Sequence, residues 1–391
     1  MSKRVCILTA TRAEYGLLRN VISKFNQDEE IDLRIAVTGM HLCEEFGMTY
    51  KEIEKDGFLI DEKMPILLNT DDSESVSSAM GLAIIHFGHY FAGLKPDILI
   101  VLGDRYETLA VCIAAMNQKI PIAHIHGGEI TEGAIDDAIR HSITKMSYLH
   151  FTSTEEYQKR VIQLGEEPER VFWVGALGVE NALELQVLSK TDLEKELGIT
   201  FEKPFFLSTF HPVTLESIDD TKKQIDALLT VAVEHSEYVW VFTKANADAG
   251  GKMINKRLDD ISKKYKHIHV YASLGLKRYL SAMKYAEAVI GNTSSGILET
   301  PSFHIPTINI GDRQKGRIQA CTIVNCKAEK DSIEDALGII KSDEFRRDIK
   351  DMPNPYFKKN TSEEIYYNIK QFLEKKEMNL EKRFYDIEGG R

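Results

Sequence analysis

Short apolar runs that do not alternate with polar residues recur along this chain, each separated from the next by a longer amphipathic stretch. Alternation marks a strand with one wet face, whereas a continuous run marks a strand covered on both faces, as in a parallel sheet flanked by helices. In the first half the runs are RVCILTA, LRIAVTG, DILIVLG, IPIAHIH and LHFTST. In the second half they are PFFLSTF, YVWVFT, HIHVYA, AVIG and PTINIG. Strands interleaved with helical patterns build β-α units. Two consecutive series predict an α/β chain of two Rossmann-like domains facing across a cleft. The length of 391 residues also exceeds what one hydrophobic core usually serves. The expected division is 1–175, 176–365, and a charged amphipathic C-terminal helix over 366–391 that packs back on the first domain.

A net charge of -11 argues against nucleic acid or an anionic membrane as the main partner. The five cysteines form no CxxC pair and no metal-ligand spacing, which fits a reducing compartment. The N-terminal MSKRVCILTATRAEYG lacks the long apolar run and small-residue cleavage site of a signal peptide, and no run reaches the length of a membrane span. The expectation is a cytoplasmic protein.

In open α/β sheets ligands collect beyond the carboxyl ends of the strands, so the residues after each apolar run are the ones to inspect. In the first series these are TRAEYG (11–16), TGMH (38–41), GDRYE (103–107) and HGGEITEGAIDDAIRH (126–141). The run DILIVLG ends in Asp104, Arg105 and Glu107, which suit either a helix start or an acid/base group at the mouth of the sheet. Asp136 is placed to cap the helix DAIRHSITKMS, with Asp136/Arg140 and Asp137/His141 at i,i+4. Gly127 and Gly128 signal close backbone approach or an unusual turn. STEEYQKRVIQLG reads as a helix with a Ser153/Glu156 capping box and Gly165 as its stop.

The second series carries VIGNTSSGILETP (289–301), a strand followed by small hydroxyl residues, a glycine and a helix start. Exposed backbone N–H groups beside Ser and Thr hydroxyls suit a diphosphate, and Glu299, one turn on, suits a pair of ribose hydroxyls. The Walker spacing and the GxGxxG fingerprint are both missing, which argues against NAD. STFHPVT adds His211 at a strand end, while TKANADAGGK and GDRQKGR are polar loops whose basic residues suit phosphate charge.

Taken in order, TRAEYG, VTGMH, GDRYE, HIHGGE, IRHSITKMS, FHPVT, GNTSSG and GDRQKGR make the chain resemble the hydrolysing UDP-N-acetylglucosamine 2-epimerases of bacterial sialic acid synthesis. The chain also resembles the epimerase half of the bifunctional animal enzyme. The resemblance implies the glycosyltransferase-B architecture, a homodimer or homotetramer, and no metal or NAD. It implies loss of UDP from the anomeric carbon as the carbon-2 proton is removed. Water then adds to the glycal, giving N-acetylmannosamine. By position, Asp104 and Asp136 match catalytic carboxylates, and His126 stands where many members carry glutamate in HIEGGE. Arg12, His211 and Arg313 match diphosphate contacts, Thr293, Ser294, Ser295 and Gly296 match the cradle, Glu299 the ribose carboxylate and Asn246 a loop residue near the nucleotide. Some members reading HIHGGE resemble enzymes of legionaminic acid synthesis, which act on a UDP-2,4-diacetamido-trideoxyhexose. Further alternatives are the non-hydrolysing epimerase, a glycosyltransferase of the same architecture, and a non-catalytic nucleotide-sugar sensor.

Overall fold

The computed structural model describes residues 2–68, 72–246, 248, 250–375 and 380–387. The chain divides into two compact units. The first comprises residues 1–129, 136–180 and 356–391, and the second 130–135 and 181–355.

The first unit is built on seven strands: β1 (Lys3–Thr9), β2 (Ile31–Thr38), β3 (Ile60–Met64), β4 (Ile98–Leu102), β5 (Ile122–Ile125), β6 (Leu149–Thr152) and β7 (Val171–Trp173). They form one parallel sheet in the order β3-β2-β1-β4-β5-β6-β7. Strands β4, β5 and β6 are buried along their whole length, which is why their sequences are unbroken apolar runs. Apolar clusters form on both faces of this sheet, one around Ile7, Ile35 and Ile100 and the other around Cys6, Leu99 and Val101. Neighbouring positions on a strand point to opposite faces, so each strand feeds both clusters.

The second unit repeats the plan with β8 (Phe205–Thr209), β9 (Val239–Thr243), β10 (Ile268–Tyr271), β11 (Ala288–Gly291), β12 (Thr307–Ile310) and β13 (Ile323–Cys326). Its parallel sheet runs β10-β9-β8-β11-β12-β13. In each sheet the strand order reverses once, between β1 and β4 and between β8 and β11. Loops on the two sides of such a point diverge and leave a crevice at the strands' carboxyl ends.

The C-terminal part departs from the expected single helix. A helix covers Thr361–Leu373, whereas residues 380–387 are neither helix nor strand. The rest of that expectation, at 376–379 and 388–391, lies outside the described residues. The return to the first unit comes at Tyr356, earlier than residue 366. Backbone and side-chain bonds explain the crossing point. The Ala176 N–H donates to the Tyr356 carbonyl at 3.0 Å, and the Thr361 hydroxyl donates to the Val174 carbonyl at 2.8 Å. The helix then buries Ile365, Ile369, Phe372 and Leu373 in the same cluster as Leu18, Val21 and Phe25 of the helix Arg12–Gln27. Each such side chain contributes roughly 1.5–3 kcal/mol on burial, so this face is a large part of the unit's stability.

Residues 380–387 form a strap on the first unit. Lys382 donates to the carbonyls of Lys145 (2.9 Å) and Ser147 (2.6 Å), at the end of the helix Asp136–Met146. It also pairs at 2.6 Å with Glu166, which is buried and bound by His150 and Lys145 as well. The Tyr385 N–H donates to the Gly165 carbonyl. Gly165 has φ +88 and the Phe384 ring lies where its side chain would be, so only glycine fits.

Candidate active site

The crevice side of the first sheet collects the residues that follow β1, β4 and β5. After β1, Thr11 and Glu14 form a capping box for the helix Arg12–Gln27. The Glu14 carboxylate accepts from the N–H groups of Ala10 (2.7 Å) and Thr11 (3.2 Å). Burial pushes its carboxyl up to about 7, with nearby Arg105 opposing the rise. Arg12 is half-buried and donates to Glu52 at 3.1 Å. His41 of TGMH is fully buried between the hydroxyls of Thr9 (3.0 Å) and Thr49 (2.8 Å). Burial lowers its pKa to about 3, so it is a neutral core histidine.

After β4 the cluster Asp104-Arg105-Glu107 divides its labour. Arg105 binds Glu107 through two hydrogen bonds, at 3.1 and 3.2 Å, and Glu107 is fully buried at the start of the helix Tyr106–Asn117. Asp104 pairs instead with Arg140, a residue only 1% exposed. Arg140 also donates to the Glu129 carbonyl (2.9 Å) and to Asp137 (3.2 Å). A buried guanidinium with its planar fork is well suited to fixing several acceptors at once. The sequence presents Arg140 only as a helix-face neighbour, because its link to Asp104 spans two elements.

Two local expectations change here. Asp136 is the first helical residue of Asp136–Met146, inside its first turn and not the cap before it. The helix Glu155–Gln163 is capped by Thr154, whose hydroxyl accepts from the Tyr157 N–H at 3.2 Å. Ser153 is drawn away to donate to Glu129 at 2.9 Å, so it does not form the expected capping box.

His126 follows β5 with φ +65, a left-handed conformation uncommon for a residue with a Cβ. Its ring nitrogen Nδ1 lies 3.8 Å from the Glu129 carboxylate. The glycines beyond it are there for space. A Cβ on Gly127 would stand 3.1 Å from both His124 Nδ1 and the Thr144 hydroxyl, and one on Gly128 would stand 2.5 Å from the Tyr157 carbonyl oxygen. The unit therefore links Asp104 and His126 through Arg140 and Glu129: Arg140 binds Asp104 and the Glu129 carbonyl, and the Glu129 carboxylate faces His126. Asp136 lies on the helix of Arg140, whose intrahelical partner is Asp137.

In the second unit the organising residue is Asn292, just past β11 and fully buried. Its amide oxygen accepts from the His211 N–H (2.7 Å) and its amide nitrogen donates to the His211 carbonyl (2.8 Å). That reciprocal pair locks the turn after β8 to the turn after β11. The Asn292 carbonyl in turn accepts from Arg313 (3.2 Å) and Gln314 (2.8 Å). His211 Nδ1 accepts from the Asn246 N–H at 3.4 Å. The loops carrying His211, Thr293–Gly296 and Arg313 thus join through the side chain and backbone of Asn292, and the Asn246 loop joins them through His211. Sequence reading passed over Asn292, although its place in GNTSSG at a strand end was a usable signal.

The segment after Asn292 differs from expectation in length. The helix Ser295–Leu298 has a single turn and passes through Glu299 into the 3-10 turn Thr300–Phe303, broken by Pro301. So short a helix has little macrodipole, and the N–H groups of Ser295 and Gly296 turn back to the hydroxyl (3.4 Å) and carbonyl (3.2 Å) of Thr293. Gly296 is packed so closely on Thr307 that a Cβ would stand 2.8 Å from its methyl group. Glu299 is buried. Tyr279 faces the same group: burial raises its phenol to about 12, while the hydroxyls of Ser295, Thr209 and Thr293 lower it and Glu299 raises it. Among the described residues no group of three or more His, Cys, Asp or Glu side chains gathers as a metal site requires. No helix among them is long and apolar enough to cross a membrane.

The sequence profile of the UDP-N-acetylglucosamine 2-epimerase family matches residues 23–370. The chain is 47% identical over 349 residues to the Campylobacter jejuni GDP/UDP-N,N'-diacetylbacillosamine 2-epimerase (hydrolyzing), covering 89% of this chain and 90% of that one. It is 42% identical to the Escherichia coli polysialic acid biosynthesis protein P7, covering 98% of each. Among solved structures it superposes on the Neisseria meningitidis UDP-GlcNAc 2-epimerase bound to UDP-GlcNAc with a TM-score of 0.78 at 19% identity, covering 94% of this chain and all of that one. That likeness agrees with the two Rossmann-like sheets. The chain belongs to the UDP-N-acetylglucosamine 2-epimerase family and is an enzyme of its hydrolysing kind.

Proposed function

We propose that the enzyme takes UDP-N-acetylglucosamine, expels UDP as the carbon-2 proton is removed, and hydrates the resulting glycal to release free N-acetylmannosamine. The observation that carries this reading is Asp104 at the carboxyl end of β4, beside the strand-order reversal and held by the buried Arg140. The carbon-2 proton is not next to a carbonyl, so departure of the diphosphate must run ahead and leave positive charge on the ring. A fixed carboxylate beside the ring answers that charge, and a second group exchanges the proton. In this reading Asp104, His126 and Asp136 share those tasks. His126 brings an imidazole, a group that can pass a proton but carries no permanent negative charge. The donors Arg12, His211, Asn246, Thr293, Ser294, Ser295, Gly296 and Arg313 hold the UDP moiety, and Glu299 accepts from the ribose.

A second reading keeps the chemistry and changes the sugar to the UDP-linked 2,4-diacetamido-2,4,6-trideoxyhexose. It is favoured by the 47% identical relative named for that substrate class. The 98% coverage of the polysialic acid protein supports the first sugar. We further propose a cytoplasmic homodimer or homotetramer, in keeping with a soluble nucleotide-sugar substrate.

Proton NMR in deuterated water with each nucleotide sugar separates the readings. Free N-acetylmannosamine deuterated at carbon-2, with UDP, is expected from the first. Turnover of only the diacetamido substrate transfers the assignment to the second. Release of unlabelled N-acetylglucosamine would falsify both, and binding without turnover identifies a sensor.

A further inference from the structure

Gly103 precedes Asp104 and takes φ +79, so the chain turns sharply where β4 hands over to the candidate carboxylate. The Gly103 carbonyl lies 2.7 Å from Nε2 of His124, on the adjacent strand β5. A carbonyl oxygen only accepts, so Nε2 carries the hydrogen and Nδ1 is left as an acceptor. The partner of Nδ1 is the Thr144 hydroxyl at 3.2 Å. Thr144 sits one turn beyond Arg140 on the helix Asp136–Met146. The imidazole has no solvent exposure, and the backbone of Gly127 closes against its edge.

We propose that His124 is a positioning residue, a neutral strut that sets the turn bearing Asp104 against the helix bearing Arg140 and Asp136. The inference rests on the reading that Asp104 acts in the epimerisation. Three observations converge on it. The two hydrogen bonds of the ring go to the two elements whose side chains meet in the Asp104–Arg140 pair. The Gly103 carbonyl fixes Nε2 as the donor, and in the neutral ring the Thr144 hydroxyl, able to donate or accept, donates to Nδ1, so one neutral tautomer satisfies both bonds. The ring is wholly shut off from solvent, which separates it from His126 two positions later, 7% exposed. Burial also drives its pKa down to about 3, with Asp104 opposing and Arg140 assisting, so the neutral form persists across the working range.

A strut acts on geometry, and misplacement of a reacting group by about 1 Å costs on the order of 100-fold in rate. His124→Leu should therefore lower kcat about 100-fold while KM stays within about threefold. His124→Gln restores a donor toward Gly103 and should recover at least about tenfold of that loss, with both limbs of the kcat pH profile where the wild type has them. Thr144→Val, which removes only the second bond, should show a smaller loss of the same kind. Nitrogen-15 NMR of the wild-type ring should report the Nε2–H tautomer between pH 6 and 8, and hydrogen exchange at residues 103–106 and 136–146 should quicken in His124→Leu.

A displaced or missing limb in His124→Gln would make His124 an acid or base itself and overturn the proposal. Undiminished kcat in His124→Leu, or a doubly protonated ring, would overturn it as well. Should His124→Leu fail to fold, the Gln and Val variants carry the kinetic test. A wild type inert toward every nucleotide sugar would sink the functional reading alone. The tautomer and exchange data would then still decide the strut.

Discussion

Asp104 and Glu14 stand a few residues past neighbouring strands, yet their surroundings set them opposite tasks. Asp104 is held by the guanidinium of Arg140 and keeps part of its side chain open, at 22% exposure. Asp104→Asn should lower kcat by 10²–10⁴, about the range for removal of a participating acid or base, while UDP affinity measured by calorimetry stays near wild type. Glu14 is buried among backbone donors and beside Glu107, and its carboxyl sits at about 7 against an ordinary 4.5. The folded state thus keeps a proton that the unfolded chain releases. Stability from this group is complete below about pH 4.5 and is lost as pH climbs toward 7. Glu14→Gln should accordingly gain on the wild type with rising pH, by on the order of 1–3 kcal/mol at pH 8, and melting curves at pH 5 and 8 check the sign. Gly128→Ala should fail in a different way. With φ +80 and the Tyr157 carbonyl 2.5 Å from the new methyl, it forces His126 and Glu129 to move, so melting temperature and kcat should both drop.

At the scale of elements, the strap 380–387 shows how a short irregular segment can stabilise a helix end. Burial pushes Glu166 up, but hydrogen bonds from His150, Lys145 and Lys382 outweigh it and hold the carboxylate at about 2. A depressed carboxylate contributes stability above its unfolded value of about 4.5 and loses it as pH falls toward 2. Lys382→Met should cost about 1–3 kcal/mol at pH 7 and flatten that acid limb in denaturant titrations. The strap itself was not legible in the sequence, where its charged residues read as helix. The same holds for β3, β7 and β13, which the apolar runs did not announce. All three are edge strands and largely half-exposed or exposed, so nothing forces them to be continuously apolar. The interior strands had no such freedom and stand out for that reason. In the candidate site, side chains at strand ends were visible from the sequence, since the doubly wound plan says where such ends lie. Asn292 stands at such an end too, but its bridging role, like those of Arg140 and His124, joins elements far apart in the chain, and no spacing records that.

For the whole molecule, each unit has its own sheet and its own apolar clusters. The first unit nevertheless draws its last helix from residues 361–373. A chain ending at Pro355 would leave the partners of Ile365, Ile369, Phe372 and Leu373 exposed. At roughly 1.5–3 kcal/mol for each side chain, the loss rivals the net stability of a typical domain, about 5–15 kcal/mol. Such a truncation should abolish the first unit's cooperative melting transition and open residues 1–129 to protease, while the fragment 181–355 remains protected. The discontinuity also fixes an order of events during synthesis. Domains usually close in the sequence in which they leave the ribosome, but here the unit that opens the chain waits for its end. The later-made unit can finish first, and the half-built sheet must survive meanwhile with an apolar face uncovered. Slow translation or a C-terminal lesion should therefore surface as aggregation of the earliest-made residues, the part of the protein furthest in sequence from the fault.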